Sequence, residues 1–191
     1  MGKGVPTKPN LAMKSPRIAN EWNIEKNKPL LPEDFLPFSS KRVWWICQVC
    51  GHEWQTRISD RQRSGCPCCA GQAVNSQNQK NSLQNMVPEI LTEWDYGMNE
   101  ISPNQILPRS SKQIHWKCTN CTGSWMARLS SRLDKDLNIK KGCPYCSNQK
   151  VHPDGRNSLA ALYPIIASEW DSDRNQPLLS SDIVATSNKK Y

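Results

Sequence analysis

The chain has 191 residues and a formal net charge of +8, with 37% hydrophobic residues and a mean hydropathy of -0.71. This length suits one or two domains, but the polar composition leaves little material for a large continuous core. No apolar run approaches the roughly 18 to 20 residues of a membrane helix, and no stretch resembles a secretory signal peptide, so we do not expect a membrane or secreted protein. We expect a cytoplasmic protein, with an organelle or the nucleus as alternatives.

Three stretches of the chain align without a gap, and such repeats set the organisation of a protein. Their sequences are LAMKSPRIANEWN from Leu11, LQNMVPEILTEWD from Leu83 and LAALYPIIASEWD from Leu159. Each has a proline five residues after the leucine and closes on a Glu-Trp pair. The tryptophans are Trp22, Trp94 and Trp170, with steps of 72 and 76 residues between them, and the asparagines that follow them by five residues are Asn27, Asn99 and Asn175. The repeat therefore extends beyond its helix-like part.

In the second copy, the apolar residues follow the three-and-four spacing of one helical face. These residues are Leu83, Met86, Val87, Ile90, Leu91 and Trp94. The proline within this pattern would remove a backbone donor and clash with the preceding turn. We therefore predict a short turn followed by a helix that starts near the proline. The closing tryptophans are predicted to pack in a core, and stacking on nucleic-acid bases is the alternative.

Two C-x-x-C motifs follow each of the first two copies. Their cysteines are Cys47, Cys50, Cys66 and Cys69 in the first copy, and Cys118, Cys121, Cys143 and Cys146 in the second. A C-x-x-C turn brings two sulfurs to one tetrahedral Zn²⁺ at about 2.3 Å, and a second such turn completes a closed structural site. The sequence therefore predicts two zinc ions, one per complete module. Disulfides are disfavoured, because the chain has nine cysteines and no secretory context.

Two residues beside these motifs have no counterpart in the second copy. His52 aligns with Gly123 and is kept as an alternative ligand that would replace Cys50 at the first site. Cys68 aligns with Tyr145, and we interpret it as a spare side chain of the second knuckle.

The repeat divides the chain into four predicted regions. They are an N-terminal tail over residues 1–8, zinc module 1 with its linker over 9–80, zinc module 2 over 81–156, and a partial third module over 157–191. The linker is the polar stretch GQAVNSQNQKN, and the third copy stops before the Trp-x-Cys that begins each knuckle. We expect this partial module to be weakly ordered or to pack on module 2. The 191 residues are expected to be either part of a longer array or closed by a natural cap.

The sequence resembles the probable zinc-ribbon or treble-clef zinc finger repeat family, whose members occur singly and in tandem, sometimes beside endonuclease domains. The residues that carry the likeness are SLQNMVPEILTEWD, GHEW, Arg61 or Arg132, and GCPYC. The resemblance implies small α+β modules stabilised by zinc, like tandem treble-clef zinc fingers, with a knuckle, a β-hairpin and a helix begun by the second cysteine pair. Each module is expected to be preceded by a short helix. The family often has a histidine at the position of His52, and the resemblance implies little about activity.

Basic side chains accompany both knuckles. They are Lys41, Arg42, Arg57, Arg61 and Arg63 in the first module, and Lys112, Arg128, Arg132, Lys140 and Lys141 in the second. If the stretch after the first knuckle is a hairpin strand, Trp54 and Thr56 face inward and Arg57 faces outward, where it could bind a phosphate. Arg61 and Arg132 lie where a structural role would recur, and covering a tryptophan ring is their alternative role.

Three function hypotheses follow from these features. The first is a non-enzymatic tandem array that binds DNA or RNA; two Zn²⁺ ions with eight thiolates lower the net charge to about +4, which still favours an anionic partner. The second is a protein-interaction scaffold, for example a subunit of a ribonucleoprotein complex. The third is an accessory domain of a nuclease, which would need a general base and an open metal site. The three histidines do not recur between the copies, so we expect no catalytic residues and no small-molecule substrate.

Overall fold

The computed structural model describes residues 8–191 of the chain. The predicted tail over residues 1–8 therefore lies outside the described residues, except for Lys8. The chain forms two compact units: one contains the residues up to Met86 together with Pro103–Leu107, and the other contains Val87–Ser102 and Pro108–Tyr191. The module boundaries that follow the sequence repeat stay predictions.

Short helices and two antiparallel hairpins make up the secondary structure of the described residues. The α-helices are α1 (Leu11–Lys14), α2 (Pro16–Ala19), α3 (Ile24–Asn27), α4 (Ile58–Arg61), α5 (Leu83–Met86), α6 (Leu129–Arg132), α7 (Leu159–Leu162) and α8 (Pro164–Ser168). Short 3₁₀ helices span Pro32–Asp34, Pro88–Glu93, Pro103–Gln105 and Ser180–Asp182. The strands are β1 (Arg42–Ile46), β2 (Glu53–Arg57), β3 (Gln113–Lys117) and β4 (Ser124–Arg128), with β1 paired to β2 and β3 to β4. This is the small α+β architecture that the sequence predicts.

Each copy of the repeat opens with two short helical segments that meet at its proline. Helix α2 begins at Pro16 and helix α8 at Pro164, while the second copy starts its 3₁₀ helix at Pro88. The residue before the proline leaves the helical region, with φ -138° and ψ 62° at Ser15. Proline disfavours helical backbone at the residue before it and has no N–H to donate. The predicted turn followed by a helix at the proline is confirmed.

The tryptophan that closes the helical stretch packs against the hairpin. In the first unit the core residues are Leu11, Trp22, Val43, Trp45 and Ile58. The rings of Trp22 and Trp45 meet edge to face, with centroids 5.6 Å apart. In the second unit, Trp94 and Trp116 repeat this contact at 5.6 Å. Because Trp22 and Trp94 are each only 4% exposed, the core interpretation is confirmed for both, and neither ring is available to stack on bases.

The asparagine five residues after each tryptophan binds the main chain of the hairpin. Asn27 Nδ2 donates to the carbonyl of Trp44 at 2.7 Å, and its Oδ1 accepts from the Trp44 N–H at 2.8 Å. Asn99 makes the same two bonds to the main chain of His115, at 2.8 and 2.9 Å. One amide side chain therefore takes the place of a neighbouring strand, which explains why the repeat extends to this asparagine.

Alternate residues of β2 face the core, as the sequence predicts. Trp54 and Thr56 are half-buried, whereas Gln55 and Arg57 are exposed, and Ile58 directly after the strand is fully buried. The predicted inward and outward sides of this strand are confirmed.

The third copy lies within the second unit and repeats the local bonds of the first copy. Leu159 N–H donates to the carbonyl of Ile183 at 2.7 Å, and Trp170 Nε1 donates to the carbonyl of Leu178 at 3.2 Å. Asn157 Nδ2 joins this copy to the second knuckle through the carbonyl of Tyr145, at 3.3 Å. The contact of Asn157 with Tyr145 agrees with the alternative in which this segment packs on module 2.

None of the helices within residues 8–191 is both long and apolar enough to cross a membrane.

Candidate metal centres

The structure brings the eight cysteines of the paired motifs together as two separate groups of four. The groups are Cys47, Cys50, Cys66 and Cys69, and Cys118, Cys121, Cys143 and Cys146, with the sulfurs of each group within 4.8 Å of one another. These are the eight ligands that the sequence predicts. Both groups show the same order of burial along the chain, in which the first cysteine of each motif is buried and the second is more exposed.

The spacing of the sulfurs fits a tetrahedral zinc ion. Four Zn–S bonds of about 2.3 Å place neighbouring sulfurs about 3.8 Å apart at the corners of a tetrahedron. Cys47 Sγ lies 3.7 Å from Cys69 Sγ, and Cys50 Sγ lies 3.7 Å from Cys66 Sγ. The corresponding distances in the second group are 3.7 and 3.5 Å. These distances far exceed a disulfide bond of about 2.05 Å, so both groups have the geometry of closed four-cysteine zinc sites.

One thiol in each group has a lowered pKa and therefore loses its proton more readily when a metal binds. Burial opposes ionisation of Cys50, but the backbone N–H of His52 and the neighbouring thiols lower its pKa to about 7. In the second group, burial likewise opposes ionisation of Cys118, while the backbone N–H groups of Cys121 and Asn120 lower its pKa to about 7. Burial raises the pKa of Cys66 to about 11. Four crowded thiols cannot all ionise without a cation, and Zn²⁺ supplies the charge that would make this favourable.

A tight turn closes each first knuckle. Gly51 N–H donates to the carbonyl of Cys47 at 2.9 Å, and Gly51 adopts φ +71°. Thr122 takes this position in the second knuckle, with its N–H 3.1 Å from the carbonyl of Cys118 and φ +62°. The left-handed region costs glycine nothing but is unfavourable for a β-branched residue. The second knuckle is therefore under backbone strain that the first one avoids.

The second cysteine pair begins a single turn rather than the helix that the resemblance implies. Ala70 N–H donates to the carbonyl of Cys66 at 3.1 Å, but Gly71 then adopts φ +67°. In the second module Asn148 ends the turn in the same way, with φ +53°. A residue in the left-handed region is a common stop for a helix, and it explains why neither turn propagates.

The polar stretch predicted as a linker is ordered and completes the first knuckle. Asn75, which is 5% exposed, donates from Nδ2 to the carbonyl of Cys50 at 2.8 Å. Asn81 holds this residue in place, since its Oδ1 accepts from the Asn75 N–H at 2.8 Å and its Nδ2 donates to the carbonyl of Ala73 at 2.9 Å. These residues therefore satisfy buried main-chain groups beside the cysteines, and their role as a linker between the modules stays a prediction.

The second module has the same clamp, with a histidine in the place of Asn75. His152 N–H donates to Asn157 Oδ1 at 2.7 Å, and His152 Nε2 lies 3.1 Å from the carbonyl of Cys121. Asn157 Nδ2 also donates to the carbonyl of Lys150 at 3.1 Å. The clamp was not predicted, although the shared Asn-Ser-Leu at residues 81–83 and 157–159 is a sequence signal for it.

His52 does not join the cysteine group. Its Nδ1 accepts from the N–H of Ser76 at 3.0 Å, and its ring stacks on Trp54 with centroids 5.9 Å apart. Burial lowers the pKa of His52, which keeps the imidazole neutral and able to accept this bond. The group of four ligand atoms includes Cys50 and leaves out His52, so the structure favours Cys50 over the alternative in which His52 replaces it.

Cys68 also lies outside the four-cysteine group. Its sulfur accepts from Asn81 Nδ2 at 3.7 Å, and burial raises its pKa. It remains a half-buried thiol beside the first site, in agreement with its interpretation as a spare side chain.

Comparison with known families completes this picture. The family described as probable treble clef zinc finger domain matches residues 18–72 and 90–149, which together exceed half of the chain. Each matched stretch contains one complete four-cysteine group. The chain belongs to this treble clef zinc finger family. A comparison with curated proteins gives no match.

The glutamate of the Glu-Trp pair in each treble clef module binds an arginine from the helix after the hairpin. Arg132 pairs with Glu93, and its guanidinium lies 4.4 Å from the ring centroid of Trp116. Arg61 pairs with Glu21 at 2.6 Å in the first module. The prediction that both arginines contact nucleic acid is corrected, because their charges are already paired and Arg132 is only 1% exposed.

The other predicted basic contacts of the two treble clef modules are exposed. They are Lys41, Arg42, Arg57, Arg63, Lys112, Arg128, Lys140 and Lys141. Among the described residues, none of these eight side chains lies within ion-pair distance of a carboxylate. Their charges are therefore available to an external anion.

Proposed function

We propose that the two zinc modules form a non-enzymatic nucleic-acid-binding array that contacts phosphates through the open end of each hairpin. A site closed by four thiolates leaves a metal no open position for water or substrate, which supports a structural role for zinc. The support for a nucleic-acid partner comes from the charged open end of the first hairpin.

Two arginines stand directly opposite each other at the open end of the first hairpin. Arg42 of β1 is in register with Arg57 of β2, and both are exposed. Lys41 adjoins them, and its carbonyl accepts from the N–H of Ile58 at 3.1 Å, so the strand end is held in place. Like charges directly opposite on a hairpin are destabilising unless a counter-charge is present. A phosphate group would supply that counter-charge and could accept hydrogen bonds from both guanidinium groups.

The second hairpin presents a weaker version of the same end. Arg128 of β4 is opposite Gln113 of β3, and Lys112 precedes the strand. The carbonyl of Lys112 accepts from the N–H of Leu129 at 3.1 Å, as the carbonyl of Lys41 does in the first module. Two modules with cations at the same structural position gain avidity when both contact one nucleic-acid strand.

The test compares binding of labelled single- and double-stranded DNA and RNA to zinc-loaded protein across a salt series. The double variant Arg42→Gln/Arg57→Gln removes the opposed pair without touching a cysteine or a core residue. We expect it to lower the slope of log affinity against log salt by about 0.7 to 0.9, since the two arginines share one phosphate and each phosphate contact contributes roughly that amount.

The matched control is Lys189→Gln/Lys190→Gln, which removes the same charge from two exposed residues far along the sequence. Its slope should stay close to that of the wild-type protein. Equal losses in the two double variants would mean that net charge alone matters and would overturn the hairpin site. Absence of nucleic-acid binding at every salt concentration would overturn the proposal and favour the scaffold hypothesis. Cleavage of the labelled strands by the purified protein would favour the nuclease hypothesis.

A further inference from the structure

A groove lies beside the end of the first hairpin that carries Arg42 and Arg57. Its volume is about 680 Å³, and its lining residues include Lys8, Lys14 and Phe38. The ring of Phe38 is 72% exposed, so it is not a core residue of this unit. A groove of this size, with an aromatic ring and cations in its lining, can hold part of a planar ligand that carries negative charge.

Main-chain hydrogen bonds fix the position of Phe38 next to that hairpin end. The carbonyl of Ser39 accepts from the N–H of Ser59, just after β2, at 3.0 Å. On the other side of Phe38, the carbonyl of Phe35 accepts from the N–H of Leu11 at 2.7 Å. A ring on a fixed main chain loses little conformational entropy when a planar ligand stacks on it.

The charges around the groove favour an anion. Lys8 and Lys14 are exposed, and among the described residues neither lies within ion-pair distance of a carboxylate. Asp34 also lines the groove, and its Oδ2 accepts from the N–H of Leu31 at 2.8 Å. Within residues 8–191, the lining therefore holds two lysines against one acid, and the lysine charges are available to a phosphate.

The opposed arginines of the first hairpin lie within reach of a ligand on this ring. Phe38 precedes Arg42 by four residues, so their Cα atoms are at most about 14 Å apart. Arg42 is directly opposite Arg57 in the hairpin. A single strand that crosses the groove can therefore contact the ring and both guanidinium groups.

The second module lacks this ring. The S-S-K sequence at residues 39–41 recurs at 110–112, which places Arg109 at the position of Phe38. Arg109 Nη2 donates to the carbonyl of Lys135, so this side chain binds its own module. The exposed aromatic ring therefore distinguishes the first module from the second.

We infer that Phe38 stacks on an unpaired base of a single-stranded nucleic acid whose phosphates contact Lys14 and the opposed arginines. The inference rests on the proposed function and adds to it the class of nucleic acid. Aromatic rings in basic grooves bind single strands with little sequence preference, because every base has a π-face. In a duplex the bases are stacked on one another, and freeing one of them costs energy. The first module therefore prefers single strands to duplexes.

The test measures fluorescence anisotropy of labelled oligothymidylate, oligouridylate and a DNA duplex of the same length, each titrated with the zinc-loaded protein. The variant Phe38→Ala should weaken binding of both single strands about tenfold, whereas Phe38→Trp should keep it. Neither variant removes a charge, so the duplex affinity and the slope of log affinity against log salt should stay unchanged. Because the ring is exposed, the melting temperature of Phe38→Ala should stay close to that of the wild-type protein.

The matched control is Tyr96→Ala, which truncates a ring that is 66% exposed and follows Asp95 in the second unit. It should bind single strands like the wild-type protein. Unchanged single-strand affinity in Phe38→Ala, or an equal loss of duplex affinity, would overturn the inference, whereas a lowered salt slope in Arg42→Gln/Arg57→Gln would still support the proposed function. Absence of nucleic-acid binding would overturn both. A dimer in sedimentation that Phe38→Ala abolishes would assign the groove to a second copy and overturn the inference.

Discussion

Arg132 and Glu93 form an ion pair across 39 residues of sequence, with the guanidinium of Arg132 stacked over Trp116. Arg61 and Glu21 repeat the pair across 40 residues in the first unit. The pair therefore joins the end of the opening helical stretch to the helix after the hairpin. This ion pair explains why the glutamate and the arginine recur in both copies.

Replacing the buried arginine should destabilise the second unit strongly. Arg132→Leu leaves the carboxylate of Glu93 without a partner, and its side chain is only 19% exposed. We expect a loss of about 3 to 5 kcal/mol in the free energy of unfolding, measured by urea denaturation of the zinc-loaded protein. The control Arg128→Leu changes an exposed arginine and should cost less than about 0.5 kcal/mol. Similar costs for the two variants would contradict the structural role.

Removing one ligand should remove one metal. Cys143→Ser is expected to lower the zinc content from two ions to one per chain and to unfold its own knuckle, since structural zinc contributes on the order of 10 kcal/mol to folding. Elemental analysis and circular dichroism measure both effects. Cys68→Ser is the matched control and should keep both ions, because its sulfur lies outside the four-cysteine group. A Cys143→Ser protein with two zinc ions and an unchanged melting curve would refute the assignment of ligands.

Zinc binding should release protons in a pH-dependent number. At pH 8, Cys50 is largely thiolate, because its pKa is lowered to about 7, whereas burial raises the pKa of Cys66 to about 11 and keeps that thiol protonated. Burial also raises the pKa of Cys146, to about 12. We expect about three protons released per zinc at pH 8, because one of the four thiols is already ionised, and close to one more at pH 6.

Calorimetry in buffers of different ionisation enthalpy measures this number. Zinc affinity should fall more steeply with decreasing pH below about 7, where Cys50 and Cys118 also gain protons. The same number of protons at both pH values would show that neither thiol is ionised before the metal binds.

The strained turn of the second knuckle should be improved by glycine. Thr122 adopts φ +62°, and the left-handed region costs a non-glycine residue roughly 1 to 2 kcal/mol. Glycine loses about 0.4 to 1 kcal/mol through its greater freedom in the unfolded chain. Thr122→Gly should therefore stabilise the second unit by about 0.5 to 1 kcal/mol in urea denaturation. The reciprocal change, Gly51→Thr, should destabilise the first unit, and a stabilising effect there would contradict the explanation.

The sequence predicts the parts of each module that depend on regular spacing. The C-x-x-C pairs, the buried Trp22 and the alternation along β2 follow periods that a single chain displays. The clamp formed by Asn75 and Asn81 follows no helix or strand period, and the Asn-Ser-Leu repeated at residues 81–83 and 157–159 does not reveal which main-chain groups it binds. The stretch therefore has the composition of a linker although Asn75 is buried.

The helix expected after the second cysteine pair fails for a related reason. Whether a turn propagates depends on one residue, and Gly71 in the left-handed region ends it. The exposure of Ile166, which is 55%, is also invisible in the sequence, since this residue keeps the spacing of a core residue.

The position of Asn81 separates two ways of dividing this protein. The second copy of the sequence repeat begins at Leu83. The first zinc site, however, also needs Asn75 and Asn81, which follow its last cysteine. A gene duplication or an engineered junction placed directly after Cys69 would therefore copy all four ligands and still leave the carbonyl of Cys50 without its donor. Junctions placed after Asn81 or Asn157 keep each site whole. The segment that can be duplicated or transplanted with an intact site therefore ends several residues after the last cysteine.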